Sequence, residues 1–147
     1  MINLNEYLSL GQNFVVKKVV QPEDTADNYL GAFKYLLSSP RLMHWALDAA
    51  VETIDPYLPE AYASIGLAFN FVHTAPSCSG MTVTVHVTII DISEHDVLLS
   101  IKAWDEQGEI AHGTHKRAVV EISELTKKAQ ERMKIISSRR ILSWAKK

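Results

Sequence analysis

Cysteine is almost missing from this chain. Cys78 is the single one in 147 residues, which excludes an intrachain disulfide and any cysteine-rich metal site, and predicts a reducing, cytoplasmic setting. Long apolar runs are missing too. The longest fall well short of the ~20 residues that cross a bilayer, so no membrane span is expected. Residues 1–6 carry no basic stretch leading into an apolar one, so no secretory leader is expected. The chain also has no internal repeat and no low-complexity tract.

What remains is the balance of an ordinary globular domain, 47% apolar and 22% charged, at a length that suits one core. The formal net charge of −2 hides an asymmetry. Residues 123–147 hold eight basic side chains against Glu124 and Glu131, about +6, which leaves about −8 on residues 1–122. A basic tail on an acidic body can draw an anionic partner, but a solvated helix is the expectation, with no nucleic-acid partner.

Residues 14–20 read as a strand ended by Gln21-Pro22, and residues 23–38 as a short helix and loop. Ser39-Pro40 reads as an N-cap followed by proline at the first helical position, opening a helix to about Asp55. Arg41, His44, Asp48, Glu52 and Asp55 make one polar stripe on it. The rest of its circumference is apolar, which predicts a largely buried helix. Four strands follow, over 64–74, 81–90, 97–104 and 109–122. In the first, Ile65, Leu67, Phe69, Phe71 and His73 share a face by the period of two; in the second, Val83, Val85 and Val87 do. Residues 123–147 form a closing helix with Leu125, Ala129, Met133 and Ile136 on one side. The order predicts an α+β domain, an antiparallel sheet wrapped around one long central helix, over residues 1–122, with a basic C-terminal helix after it.

Two segments go beyond pattern. Residues 66–85 read GLAFNFVHTAPSCSGMTVTV and residues 113–120 read GTHKRAVV. With SSPRLMHWALDAAVETIDPYL at 38–58, they resemble the hot-dog-fold thioesterases of the fluoroacetyl-CoA thioesterase kind, over roughly residues 8–122. The resemblance implies a homodimer whose two acyl-thioester sites lie between one protomer's central helix and the other's strands. It implies acyl-CoA or another acyl thioester as the ligand and no cofactor. It carries over residue by residue: the helix-start Ser or Thr falls on Ser39, the strand glycine on Gly66, the histidine on His73 and the arginine on Arg117. The family's helix glutamate, eight residues after the Ser or Thr, falls on Leu47. Asp48 is a carboxylate next door, but one residue is ~100° around a helix and Asp48 belongs to the polar stripe.

Thioester hydrolysis needs a polarised carbonyl, an activated nucleophile and an acyl pocket. Gly66 suits the first, because nothing projects between its backbone and a ligand; close packing against the helix is the alternative. His73 titrates near neutrality and suits a general base, where the bland reading is a hydrogen-bonded core histidine. Ser39 has two readings, helix cap or the group that orients or attacks the carbonyl. Asp48 is the candidate replacement acid, and Leu47 is expected to line the acyl pocket. Arg117 is expected to bind the CoA phosphates or to hold the loop lining the site, unless it is an exposed strand arginine with neither task. His44, His86, His95, His112 and His115 carry little weight, and no metal site is expected. The function expected is hydrolysis of a small or medium acyl-CoA. The alternatives are a non-catalytic hot-dog protein that binds such a ligand and, more weakly, a basic tail that docks on nucleic acid or an anionic membrane.

Overall fold

The structure is a computed structural model, which describes residues 1–26 and 32–145, with side chains through residue 139. Residues 27–31, part of the expected helix and loop over 23–38, lie outside the described residues. Before them the chain makes a 3-10 turn at Pro22–Asp24.

Five strands make one antiparallel sheet: β1 (Asn13–Val19), β2 (Tyr62–His73), β3 (Thr82–Ile92), β4 (Asp96–Asp105) and β5 (Gly108–Glu121). Their spatial order is β1-β3-β4-β5-β2, so β1 and β2 are the edges. Helix α1 (Ser39–Ile54) packs on one face of this sheet. Valine alternation builds that face: Val83, Val85 and Val87 are fully buried, and Leu99, Ile101 and Ala103 lie beside them on β4. Burying each Val, Leu or Ile side chain is worth ~1.5–3 kcal/mol, so the strand order is set where these rows meet the helix. On α1 the small residues Ala46, Ala49 and Ala50 are also fully buried, which lets the helix sit close to the sheet. The stripe behaves as expected at His44, Asp48 and Glu52, which are exposed. Its two ends do not: Arg41 pairs with Asp24 at 3.1 Å, and Asp55 turns toward Ser64.

Two local expectations need correcting. The helix cap is Ser38, whose hydroxyl accepts the N–H of Arg41 at 3.2 Å, so Ser39 and Pro40 are both inside the first turn. The face of β2 is not a single run of alternate residues either. Register shifts between Gly66 and Ala68, and Leu67 bulges out, 53% exposed. Before the bulge Ser64 and Gly66 stand opposite the buried residues Val119 and Arg117; after it Phe69 stands opposite buried His115. Ile65 and Leu67 therefore do not share the inner face with Phe69, Phe71 and His73. One extra residue in an alternating strand reverses every side chain beyond it.

Helix α2 (Ile122–Ala145) leaves the end of β5 and stays exposed along its described length. Only its first turns meet the body, where Leu125 and Lys128 line a groove with Tyr62, His95 and Val119. Among the described residues no helix is long and apolar enough to cross a membrane.

Candidate active site

Helix α1 and strand β2 run in opposite directions, and the start of the helix meets the end of the strand. There the Ser39 hydroxyl lies 2.8 Å from His73 Nδ1. The pair forms because Ser38 already serves the free helix N–H groups, which leaves the next hydroxyl unclaimed. His73 Nε2 is buried and has no hydrogen-bond partner, so among the described residues no carboxylate meets the ring. Burial pushes the His73 pKa below the ordinary histidine value of 6.5, partly offset by the backbone of Ala75. The imidazole is therefore neutral at pH 7 and free to take a proton.

The dyad opens onto a cavity of about 470 Å³ with a mostly apolar lining, including Phe33, Leu36, Leu37, Pro40 and Pro76. That size lies within the usual ~300–1,000 Å³ of small-ligand pockets. Ser39 and His73 are its reactive polar groups, set into the wall of an apolar slot. An apolar group fits such a lining.

The other sequence candidates fall elsewhere. Asp48 is exposed and pairs with His44 at 3.4 Å within the stripe, as an i,i+4 pair on one helix face. Leu47 is half-buried two turns beyond Ser39 and does not line the cavity. Gly66 sits seven residues up β2 from His73, roughly 20 Å away at the rise of an extended strand. The structure therefore brings together Ser39 and His73, and within one chain it leaves Gly66, Leu47, Asp48 and Arg117 apart from them.

Arg117 is not an exposed strand arginine. It is 7% exposed, donating from Nε to Ser64 Oγ at 2.8 Å and from Nη2 to the Ser64 carbonyl at 2.8 Å. These bonds tie its guanidinium to strand β2. Its remaining nitrogen meets His115, which is as buried as any histidine in the chain and which sequence reasoning passed over. The signal was present: two residues before Arg117 on a strand is the same face. Ser64 and Asp55 were equally silent in the sequence, one as a strand serine and one as the end of a polar stripe. Among the described residues no group of three or more His, Cys, Asp or Glu side chains is placed to hold a metal ion.

Comparison with known proteins agrees with this fold. The family model of fluoroacetyl-CoA-specific thioesterases (FlK) matches residues 20–123. The fluoroacetyl-CoA thioesterase of Streptantibioticus cattleyicolor is 27% identical over 138 residues, covering 88% of this chain and 97% of that protein. A crystal structure of a hot-dog-like protein from Thermanaerovibrio acidaminovorans superimposes with a TM-score of 0.85 at 32% identity, over 89% of this chain and 97% of that one. A fluoroacetyl-CoA-specific thioesterase variant solved in complex with fluoroacetate and CoA superimposes with a TM-score of 0.74 at 26% identity, over 80% of this chain and 99% of that one. The sheet curled on a single long helix is the hot-dog fold, and this chain belongs to the fluoroacetyl-CoA-specific thioesterase family.

Proposed function

We propose that the protein is an acyl-CoA thioesterase that hydrolyses a small or medium acyl thioester at a site completed by a second copy of the chain. The observation that carries this reading is the Ser39–His73 pair at 2.8 Å in the wall of an apolar cavity. In hydrolysis, neutral His73 takes a proton from water, or from the Ser39 hydroxyl on its way to the carbonyl. The new C–O bond forms, the C–S bond breaks, and the proton passes to the departing thiolate. By the serine route this leaves an ester on Ser39, which a water giving its proton to His73 then cleaves, freeing the acid as the proton returns to the Ser39 hydroxyl. A general base of this kind is worth ~10²–10⁴ in rate. A thiolate is a far better leaving group than an alkoxide, so the step asks little of an acid. This is why the loss of a family glutamate at Leu47 is compatible with turnover.

The distance between Gly66 and His73 supports the second copy. One chain cannot put both on one thioester, but β2 is an edge strand with exposed Leu67 and Val72, open to pairing. Antiparallel pairing with its own copy, centred between Phe69 and Asn70, sets Gly66 against the partner subunit's His73. The backbone of Gly66, with no side chain over it, then faces the carbonyl of a thioester held by the partner's dyad. A soluble setting in the cytoplasm accords with the single thiol, Cys78.

A second reading is favoured by one observation, Leu47 with no carboxylate at the His73 ring: a hot-dog protein that binds an acyl thioester without hydrolysing it. A panel of acyl-CoAs, with thiol release followed by a colorimetric reagent, decides between them. Turnover of a short or medium chain above background is the expected result. Saturable binding with no thiol release establishes the binder and sinks the enzyme. Sedimentation showing a monomer at micromolar concentration overturns the shared site.

A further inference from the structure

The bulge at Leu67 is a weak place in an exposed edge strand. It interrupts the ladder with β5 and leaves one residue unpaired, next to the glycine that the proposed site depends on. A chain of buried and half-buried side chains spans it. Asp55, at the end of α1, accepts the Ser64 N–H on both carboxylate oxygens at 3.2 Å and also accepts the Ser64 hydroxyl. Arg117 Nε and Nη2 then take the hydroxyl and the carbonyl of Ser64. Arg117 Nη1 lies 3.1 Å from His115 Nε2, and His115 Nδ1 lies 2.8 Å from the Ala68 carbonyl. Ser64 precedes the bulge and Ala68 follows it, so both shoulders are tied to the same guanidinium.

Elementary chemistry fixes the protons along this chain. A guanidinium only donates, so His115 Nε2 must accept; a carbonyl only accepts, so His115 Nδ1 must carry the hydrogen. His115 is thus neutral and in one tautomer. Its ring also packs on Phe69 with centroids 5.0 Å apart. Gly66 lies against this assembly: a Cβ there would come 3.3 Å from His115 Cε1 and 3.7 Å from Arg117 Nη1.

From this bracing we infer that Ser64 and His115 are positioning residues of the active site, which together with Asp55 and Arg117 pin the Leu67 bulge and so hold Gly66 where the partner subunit's bound thioester needs it. The inference rests on the dimeric thioesterase reading above. In this reading Ser64 and His115 act through the backbone of Gly66 and not on the substrate itself. Their effect falls on the precision of a backbone group, and a misplacement near 1 Å costs up to ~10²-fold in rate.

The test uses the full-length dimer and two pairs of variants. Ser64→Ala removes the hydroxyl that joins Asp55 to Arg117, and Ser64→Thr keeps it. His115→Phe keeps the packing on Phe69 and loses both bonds, whereas His115→Asn keeps a donor for Ala68. Readouts are kcat and KM on the best acyl-CoA of the panel, the Tm, and amide hydrogen exchange at Leu67 and Ala68. Ser64→Ala and His115→Phe are expected to lower kcat by about tenfold with KM within about threefold and to speed exchange at the bulge. Ser64→Thr and His115→Asn recover most of both. Wild-type kcat in Ser64→Ala and His115→Phe overturns the inference, as does a loss that follows Tm alone with no recovery in Thr and Asn. If the wild type hydrolyses none of the panel, the thioesterase reading has failed by itself. Exchange at Leu67 and Ala68 then decides the pinning, supporting it if faster in Ser64→Ala and His115→Phe and ending it if unchanged.

Discussion

Ser38 caps helix α1 through its hydroxyl, and the hydroxyl of Ser39, one residue on, faces His73 Nδ1 at 2.8 Å. In the proposed reaction two adjacent serines thus divide a structural task and a chemical one. Ser38→Ala should cost ~1 kcal/mol of stability, the usual worth of an N-cap, with turnover per folded molecule nearly unchanged. Ser39→Ala should do the reverse, leaving the Tm within a few degrees and lowering kcat by about tenfold or more. Denaturation curves beside initial rates check both, and equal behaviour of the two variants would refute the division.

His73 carries the proton in the proposed reaction, so His73→Ala should lower turnover by roughly 10²-fold while the dimer survives. If His73 only fills the core, the substitution instead lowers the Tm and spares the activity of folded molecules.

Acid should act on both rate and stability. Burial lowers the pKa of His73 and of His115, the latter opposed by its bond to Ala68 and helped by Arg117. The unfolded chain, with ordinary histidines near 6.5, therefore binds more protons than the fold once pH drops below that value. Stability from these groups is complete above pH 6.5 and is lost as pH falls through the lowered folded values. The proposed active form of His73 is the neutral one, so the acid limb of kcat/KM should be centred below pH 6.5. A rate limb centred above 6.5 would exclude His73 as the base.

Position 47 offers the converse experiment. Asp48 is exposed and paired with His44, so Asp48→Asn should change turnover by less than about twofold, whereas a replacement acid would cost ~10²-fold or more. Leu47→Glu should lower the Tm, because a carboxyl placed among apolar neighbours either loses hydration or stays protonated. A rise in hydrolysis despite that cost would identify position 47 as catalytic in this chain too.

Residues 127–139 lie in an exposed helix, and the family match ends at residue 123. Deleting the chain from Lys127 onward should leave the dimer folded and its thioesterase activity largely intact. Insoluble truncated protein would show that the Leu125, Ala129 and Met133 face is covered by the domain.

Local periodicity alone determined the elements. Alternating valines at 83, 85 and 87, the apolar circumference of residues 40–54 and the turn before Gly108 are each short-range patterns, and the helix and the four strands after it follow from them within two residues. His73 as an inward residue at the end of its strand was readable for the same reason, and the motif around it carried the family. What the sequence could not decide was every outcome set by competition between distant groups. Either serine of the Ser38-Ser39 pair can cap a helix; only the folded chain shows that Ser38 does, while the end of β2 brings a histidine to Ser39. Leu67 looks like one more apolar residue in an alternating run, and only its pairing with β5 makes it the extra one that turns Ile65 away from Phe69. Arg117 reads as a surface cation until Ser64, more than 50 residues earlier, accepts from its Nε and Nη2, and Asp55, bonded to Ser64, sets a carboxylate charge nearby. Burying a guanidinium is favourable only when partners from other elements surround it, and that arrangement exists only in the closed fold.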